Sequence, residues 1–570
     1  MGDGVSLATD VWRETDTPRP TLLRRTPYGR AIDEKQARKM LDDGYVVVSQ
    51  DVRGRGNSAG IFLPFSTDEA DGHATIAWIT SQPWSNGKVG MYSGSAEGIV
   101  QYQAMANAPP GLACVSTRVA THDVYSGMVP GGAWRTDLDS DWLTMLGASS
   151  VIGVWRAHEV RDAFWDALTL THDEMAKVAH PVSIVGGFFD IFAPDQARLA
   201  RELPRYAKDV SIVLGPWTHG GWLGSEQGQL RYPHDVVLPL EEEQRAFFAY
   251  CLQGKPRPSV AKVRYYITEL GDTQNAEGQF IVNGSWREDT LWPPAAVHTE
   301  TLFLAPDNRL GQALPAPPVE LPLDPANPMP SLGGGNFSTA AGPHEQSELD
   351  RRKDVYLAAT PALSEAVELV GSPRAFVWAA SATDDIDVVV RIEQVTPSGK
   401  VIAFADGIQR GRFVRGHDAI RPLTPGEPTL FELELGPLAL RLTRGAALRI
   451  AISGASSPRY EPNPNRALPL SEAGKPVATT LTIFRDPAHP SRIELPVLHG
   501  ALPGVLPAEV APRPVDASAP PMPREPDTAM PAEAESPPSS HGCGLASGGS
   551  WALLAMIAVV VGLSLRRLRR

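Results

Sequence analysis

Gly90-Met91-Tyr92-Ser93-Gly94-Ser95-Ala96-Glu97-Gly98 reads as a strand running straight into a helix. A serine at such a corner has its hydroxyl pushed out above the sheet, and the turn is tight enough to demand small neighbours. Ser93, Gly94, Ala96 and Gly98 meet that demand. The N–H that follows the serine then points to where an oxyanion would develop, at a helix N-terminus that favours negative charge. In the strict G-x-S-x-G pattern two glycines flank the serine, and here Ser93 and Glu97 occupy their places. Two later residues extend the pattern. Asp190 closes Gly186-Gly187-Phe188-Phe189-Asp190 and His219 follows Gly215-Pro216-Trp217-Thr218, each just past an expected strand. A hydroxyl, an imidazole and a carboxylate can together run nucleophilic acyl transfer: the ring takes the hydroxyl proton, and the carboxylate holds the ring.

The chain order Ser, Asp, His is the one used on the α/β-hydrolase sheet, and all three residues fall where strands end. The elements needed to position them are legible. Pro20–Arg25, Tyr45–Ser49, Lys88–Tyr92, Val182–Val185 and Val210–Leu214 are short apolar runs of buried-strand type, and Glu69–Thr80 and Gly98–Met105 suit helices. Their alternation predicts a mostly parallel sheet covered on both faces. Residues 120–180 change to helical character, with Trp134, Trp142, Trp155 and Trp165 and a Thr171 placed to cap a helix. This predicts a helical insertion. From 256 to 500 short β-like runs punctuated by Pro, Gly, Asn and Asp predict an antiparallel sandwich.

At this point the chain resembles a known family, the cocaine esterase/Xaa-Pro dipeptidyl-peptidase (CocE/NonD-like) serine hydrolases. The resemblance rests on Asp3–Val11, Arg25-Thr26-Pro27-Tyr28-Gly29, Gln50–Ser58, Pro83–Met91, Gly342–Gln346, Asp384–Asp387 and Asp406–Ile408. It implies an α/β-hydrolase domain (1–119 and 181–255), a helical cap (120–180) and a jelly-roll β-sandwich (256–500). It also implies Ser95 as nucleophile, Asp190 as triad acid and His219 as base. The Tyr28 hydroxyl and the Ala96 N–H would form the oxyanion hole. Trp134, Trp142 and Phe189 are carried as candidates to line the substrate pocket, although tryptophans at such spacing are more often core. Ser93 departs from a usual Gly and Ala96 from a usual Tyr; the second change takes a ring away from the site. Arg53 and Arg55 read as a structural ion-pair loop, Glu97 as a helix-surface residue, and Asp384, Asp385 and Asp387 as a solvated turn. No metal and no cofactor is expected.

Ester, dipeptide-amide and β-lactam acyl bonds are all substrates the resemblance implies. The rival reading is a surface binding protein that uses the sandwich and carries a relic hydrolase domain; an intact triad weighs against it. The charge of −13, from 52 basic and 65 acidic residues, argues against nucleic acid as a partner. Cys114, Cys251 and Cys543 contain no CxxC pair, which argues against a thiolate metal site or a dithiol redox motif. The 53 prolines are about twice the usual share, and they are densest in a spacer over 501–544. It precedes an apolar run, Leu545–Leu565, and a terminal Arg cluster. Residues 545–570 therefore read as a transmembrane segment with its basic end in the cytoplasm and the catalytic body at the cell envelope or surface. The pattern from His541 resembles myxobacterial surface-sorting tails, which implies cleavage and attachment near Cys543. Met1–Leu7 has neither a basic nor an apolar signal region, so export predicts a further segment upstream. The alternative is a tail anchor with the body in the cytoplasm.

Overall fold

A computed structural model describes residues 1–472 and 474–504. The spacer beyond Gly504, the apolar run, the Arg cluster and the sorting-tail pattern lie outside the described residues. Among the described residues no helix is long and apolar enough to cross a membrane.

The N-terminal half is built on seven strands: β1 (Thr9–Trp12), β2 (Arg19–Thr26), β3 (Val46–Asp51), β4 (Ser85–Gly94), β5 (Leu112–Arg118), β6 (Val182–Phe189) and β7 (Val210–Thr218). They pair in the order β1-β3-β2-β4-β5-β6-β7. Only the β1–β3 pair is antiparallel. The six residues of β3, Val46-Val47-Val48-Ser49-Gln50-Asp51, are all buried. A parallel sheet covered on both faces has this unbroken burial, because crossover helices occupy each side. Helices α1 (Glu34–Asp42), α2 (Asp68–Thr80) and α3 (Ala96–Met105) supply part of that cover. Cys114 on β5 is joined to Cys251 on the Leu240–Gln253 helix by a disulfide that spans 137 residues. The cysteine spacing alone gave no sign of this bond.

The Val263–Gln274 strand links the two halves of the molecule. Its first residues pair in parallel with Ile212–Leu214 of β7, and Thr268 and Glu269 pair with Leu440 and Arg441 of the C-terminal β domain. That domain is antiparallel in nearly all its ladders and includes each of the β-runs expected between 256 and 500. Leu502 is buried and its N–H donates to Glu300 at 2.9 Å, so the folded body continues past residue 500. The expected helical insertion contains short α-helices, Val124–Met128, Asp141–Met145, Ser150–Ala157, Ala163–Asp166 and His172–Met175. The last carries the expected Thr171 cap, completed as a capping box by Glu174. This insertion is bound to the β domain. Arg156 pairs with Glu461 and donates to the Leu470 carbonyl, and Arg135 donates to the Gly335 carbonyl at 2.7 Å.

The acidic turn at 384–387 differs from the expectation of a solvated loop. Asp385 and Asp387 are wholly buried. Arg410 grips Asp387 with two bonds of 2.9 Å, Asn463 donates to both carboxylates, and the Arg412 N–H donates to Asp385 at 2.8 Å. The partners come from two distant stretches, so a local reading could not supply them. Burial pushes the Asp385 carboxyl up to about 7 against the pull of Arg410 and Arg412.

Candidate active site

β4 ends at Gly94 and α3 begins at Ala96, so Ser95 is the whole corner. Its φ of 58° and ψ of −132° are strained for a residue with a side chain. The surroundings enforce the corner. A Cβ on Gly94 would stand 2.7 Å from the Arg118 carbonyl oxygen, and one on Gly98 would stand 2.6 Å from Cβ of Ala120. The Ser95 N–H donates to that Arg118 carbonyl at 2.9 Å, which ties the corner to the end of β5. The Ala96 N–H, first in α3, has no carbonyl to reach within the helix.

His219 follows β7 and Asp190 follows β6. The ring reaches Ser95 Oγ with Nε2 at 2.9 Å and Asp190 Oδ2 with Nδ1 at 2.6 Å. A carboxylate only accepts, so the Nδ1–H donates to Asp190 and Nε2 is left to accept the Ser95 proton. The Asp190 side chain is fully buried. Its other oxygen accepts from the Phe192 N–H at 2.8 Å and from Gln196 Nε2 at 2.5 Å. Phe192 and Phe337 present their rings edge-to-face to the imidazole, with centroids 5.9 and 6.1 Å away.

Tyr28 sits two residues beyond β2 with its N–H bonded to Thr26 Oγ1 at 3.1 Å. Its hydroxyl accepts from Trp142 Nε1 at 3.0 Å and also interacts with the Ser95 side chain. Burial, with the nearby Glu97 charge, pushes its pKa well above the usual tyrosine value. At neutral pH it is a protonated donor beside the serine. Arg55 braces this loop through the Pro27 carbonyl at 3.0 Å and the helical insertion through the Leu146 carbonyl at 2.8 Å. Of the two arginines expected in ion pairs, Arg53 pairs with both Asp71 and Asp3; among the described residues Arg55 binds carbonyls instead.

The remaining candidates separate. Trp142 reaches the site through Tyr28 and stacks on Phe65 and Trp155. Trp134 is wholly buried, donates to Ser140 at 3.2 Å and lies under Arg156. Phe189 is buried against Phe404, with centroids 6.3 Å apart. Glu97 is 1% exposed, which corrects its reading as a helix-surface residue. Sequence reasoning missed Gln196, Phe192 and Phe337. Gln196 and Phe192 follow Asp190 closely but match no motif. Phe337 arrives from the β domain, where the Phe337 N–H is held by Asp137 of the helical insertion at 2.7 Å. No local signal marks it. Among the described residues no group of three or more His, Cys, Asp or Glu side chains is placed to hold a metal ion.

Comparisons with known proteins agree with this architecture. Residues 3–153 match the model of the X-Pro dipeptidyl-peptidase (S15 family), and residues 260–494 match that of the X-Pro dipeptidyl-peptidase C-terminal non-catalytic domain. The chain is 27% identical to a cocaine esterase of Rhodococcus sp., over 87% of this chain and 97% of that protein. It is 24% identical to a putative serine esterase of Mycobacterium bovis, over 87% and 94% of the two chains. In fold it is similar to an aminopeptidase of a marine sediment Thaumarchaeota archaeon, with a TM-score of 0.73, 24% identity and coverage of 88% and 95%. An α-amino acid ester hydrolase is similar to the same degree, with a TM-score of 0.73, 23% identity and coverage of 87% and 95%.

Proposed function

We propose that this chain, a serine hydrolase of the cocaine esterase and X-Pro dipeptidyl-peptidase (S15) group, cleaves an ester or amide acyl bond through an acyl-enzyme on Ser95. The observation that carries this reading is the unbroken line Ser95–His219–Asp190, with bonds of 2.9 and 2.6 Å. Ser95 Oγ attacks the carbonyl carbon while His219 Nε2 takes its proton. Asp190 holds the ring and stabilises the imidazolium. The tetrahedral oxyanion sits between the Tyr28 hydroxyl and the Ala96 N–H. Its collapse expels the alcohol or amine, which leaves with the proton held on His219. Water, deprotonated by the same imidazole, then adds to the acyl carbon and releases the acid and Ser95. Trp142 orients the Tyr28 hydroxyl. We assign 1–119 and 181–255 to the catalytic domain, 120–180 to the cap and the β domain from 256 to a jelly roll.

The substrate class is tested with a panel of p-nitrophenyl esters, Xaa-Pro anilides and amino-acid esters. Turnover of at least one, abolished by Ser95→Ala, is the expected result. A Ser95→Ala variant that turns over as fast as the wild type overturns the reading and makes Ser93 the next nucleophile to test.

The same proposal places the catalytic body outside the cell, held by the apolar run before the Arg cluster. A chain truncated after Gly504 should then be soluble and fully active, and protease applied to whole cells should release an active fragment of that size. Release only after lysis argues for the tail-anchored orientation.

A further inference from the structure

Ser93 and Glu97 stand two residues to either side of Ser95, where the strict turn pattern carries glycines. They are bonded to each other: the Ser93 hydroxyl donates to Glu97 Oε2 across the corner. The φ of Ser93 is 123°, a conformation that glycine adopts without cost and serine does not. Something must hold it there. Glu97 Oε1 is buried without a hydrogen-bond donor and lies 3.9 Å from Arg24 Nε. Arg24 in turn donates to the carbonyls of Gly29 at 3.2 Å and Ala31 at 2.9 Å, directly after Tyr28. Gln101 Nε2 donates to the carbonyls of Ser93 and Glu97, both at 3.1 Å. A continuous path therefore runs from both flanks of the serine corner, through one buried carboxylate and one arginine, to the loop that presents Tyr28.

We propose that Ser93, Glu97 and Arg24 form a positioning clamp that keeps the Ser95 hydroxyl and the Tyr28 hydroxyl in fixed mutual register. The proposal rests on the reading of Ser95 as nucleophile and Tyr28 as oxyanion donor. Glu97 and Arg24 are buried, and all three residues act through the corner and the Tyr28 loop, so their loss should act on kcat and spare KM. A misplacement of reacting groups by about 1 Å is enough to cost on the order of 100-fold in rate. The two glycine places are thus filled as a pair, and each substitution makes sense only with the other.

The test uses the full chain and the best ester of the panel. Glu97→Gln keeps an acceptor for Ser93 but removes the charge that faces Arg24. Ser93→Gly removes the donor while relieving the backbone, and Glu97→Leu breaks both links. Expected are falls in kcat of about 10-fold for Ser93→Gly and about 100-fold for Glu97→Leu, with Glu97→Gln between them and KM within about twofold. The double variant Ser93→Gly/Glu97→Leu should be no slower than Glu97→Leu alone within about threefold, because residues that act as a unit are not additive. The rate of fluorophosphonate labelling should fall in step with kcat. If Glu97→Leu fails to fold, Ser93→Gly and Glu97→Gln carry the test. A purely structural role would lower Tm while kcat and labelling stay within about twofold of wild type; that result in both milder variants overturns the clamp. Ser95→Ala run alongside separates the failures. Turnover without Ser95 removes the nucleophile assignment, whereas a dead Ser95→Ala beside unaffected clamp variants removes the clamp alone.

Discussion

Replacing Tyr28 by Phe deletes one hydroxyl and little else. In the structure that hydroxyl accepts from Trp142 Nε1 at 3.0 Å and neighbours Ser95, and burial keeps it protonated. As the proposed oxyanion donor, it would contribute about 2.7–4 kcal/mol in the transition state, a factor of roughly 10²–10³ in kcat. The ground-state carbonyl is a weaker acceptor than the oxyanion, so KM should stay nearly constant. The folded protein should lose about 1–3 kcal/mol as well, because the nearly buried Trp142 N–H loses its acceptor. The two effects read out separately: kcat and KM from initial rates with an ester, stability from thermal or urea unfolding. A Trp142→Phe variant keeps the Tyr28 hydroxyl but frees its orientation, so it should slow turnover by only about tenfold, well short of losing the donor. A Tyr28→Phe variant with full kcat and a raised KM would refute the assignment and leave Tyr28 as a wall of the pocket.

Gln196→Ala removes the shorter of the two bonds to the Asp190 oxygen that faces away from His219; kcat should fall about tenfold with KM unchanged, and loss of stability alone would make Gln196 structural. Cys251→Ser opens the 137-residue loop closed by the disulfide and should cost about 2–4 kcal/mol in unfolding free energy while leaving activity at 25 °C intact. Dithiothreitol should lower Tm of the wild type and not of this variant. Asp385 has its folded pKa raised to about 7 from the ordinary 3.8, so the folded state holds a proton there that the unfolded state releases. Its contribution to stability is full below pH 3.8, declines as pH rises through this window and is lost above about 7. Asp385→Asn carries no such proton, and its stability relative to wild type should improve between pH 4.5 and 8 in urea denaturation. An unchanged difference across that range would show that Asp385 is ionised throughout.

The parts of the site that were legible are those whose chemistry is local. The small residues around Ser95 announce a strand-to-helix corner, and Asp190 and His219 each follow an apolar strand, so order and position sufficed to nominate them. The C-terminal β domain was legible as short β-like runs between turn residues. What escaped were contacts made across the chain. Phe337 reaches His219 from a loop of the β domain, and nothing in Gly333-Gly334-Gly335-Asn336-Phe337 tells which domain it will face. Cys114 and Cys251 meet only because the Leu240–Gln253 helix packs on β5. Asp385 and Asp387 looked like a solvated turn because acidic residues beside a Thr usually are one; their arginines arrive from 410 and 412. Glu97 was misplaced for a related reason. An acidic residue in the first turn of a helix is normally solvated, but both faces of α3 are covered, and the carboxylate finds Ser93 and Arg24 inside.

The central claim is that an acyl group passes through Ser95, and trapping it is the most direct measurement. The full chain is treated with a fluorophosphonate, digested and analysed by peptide mass mapping, beside Ser95→Ala and His219→Ala. The account predicts a single stoichiometric adduct on Ser95, none in Ser95→Ala, and labelling slowed by at least about 10³-fold in His219→Ala, where the general base is gone. An adduct on Ser93 or another residue, or no adduct in a wild-type protein that still hydrolyses its ester, would contradict it.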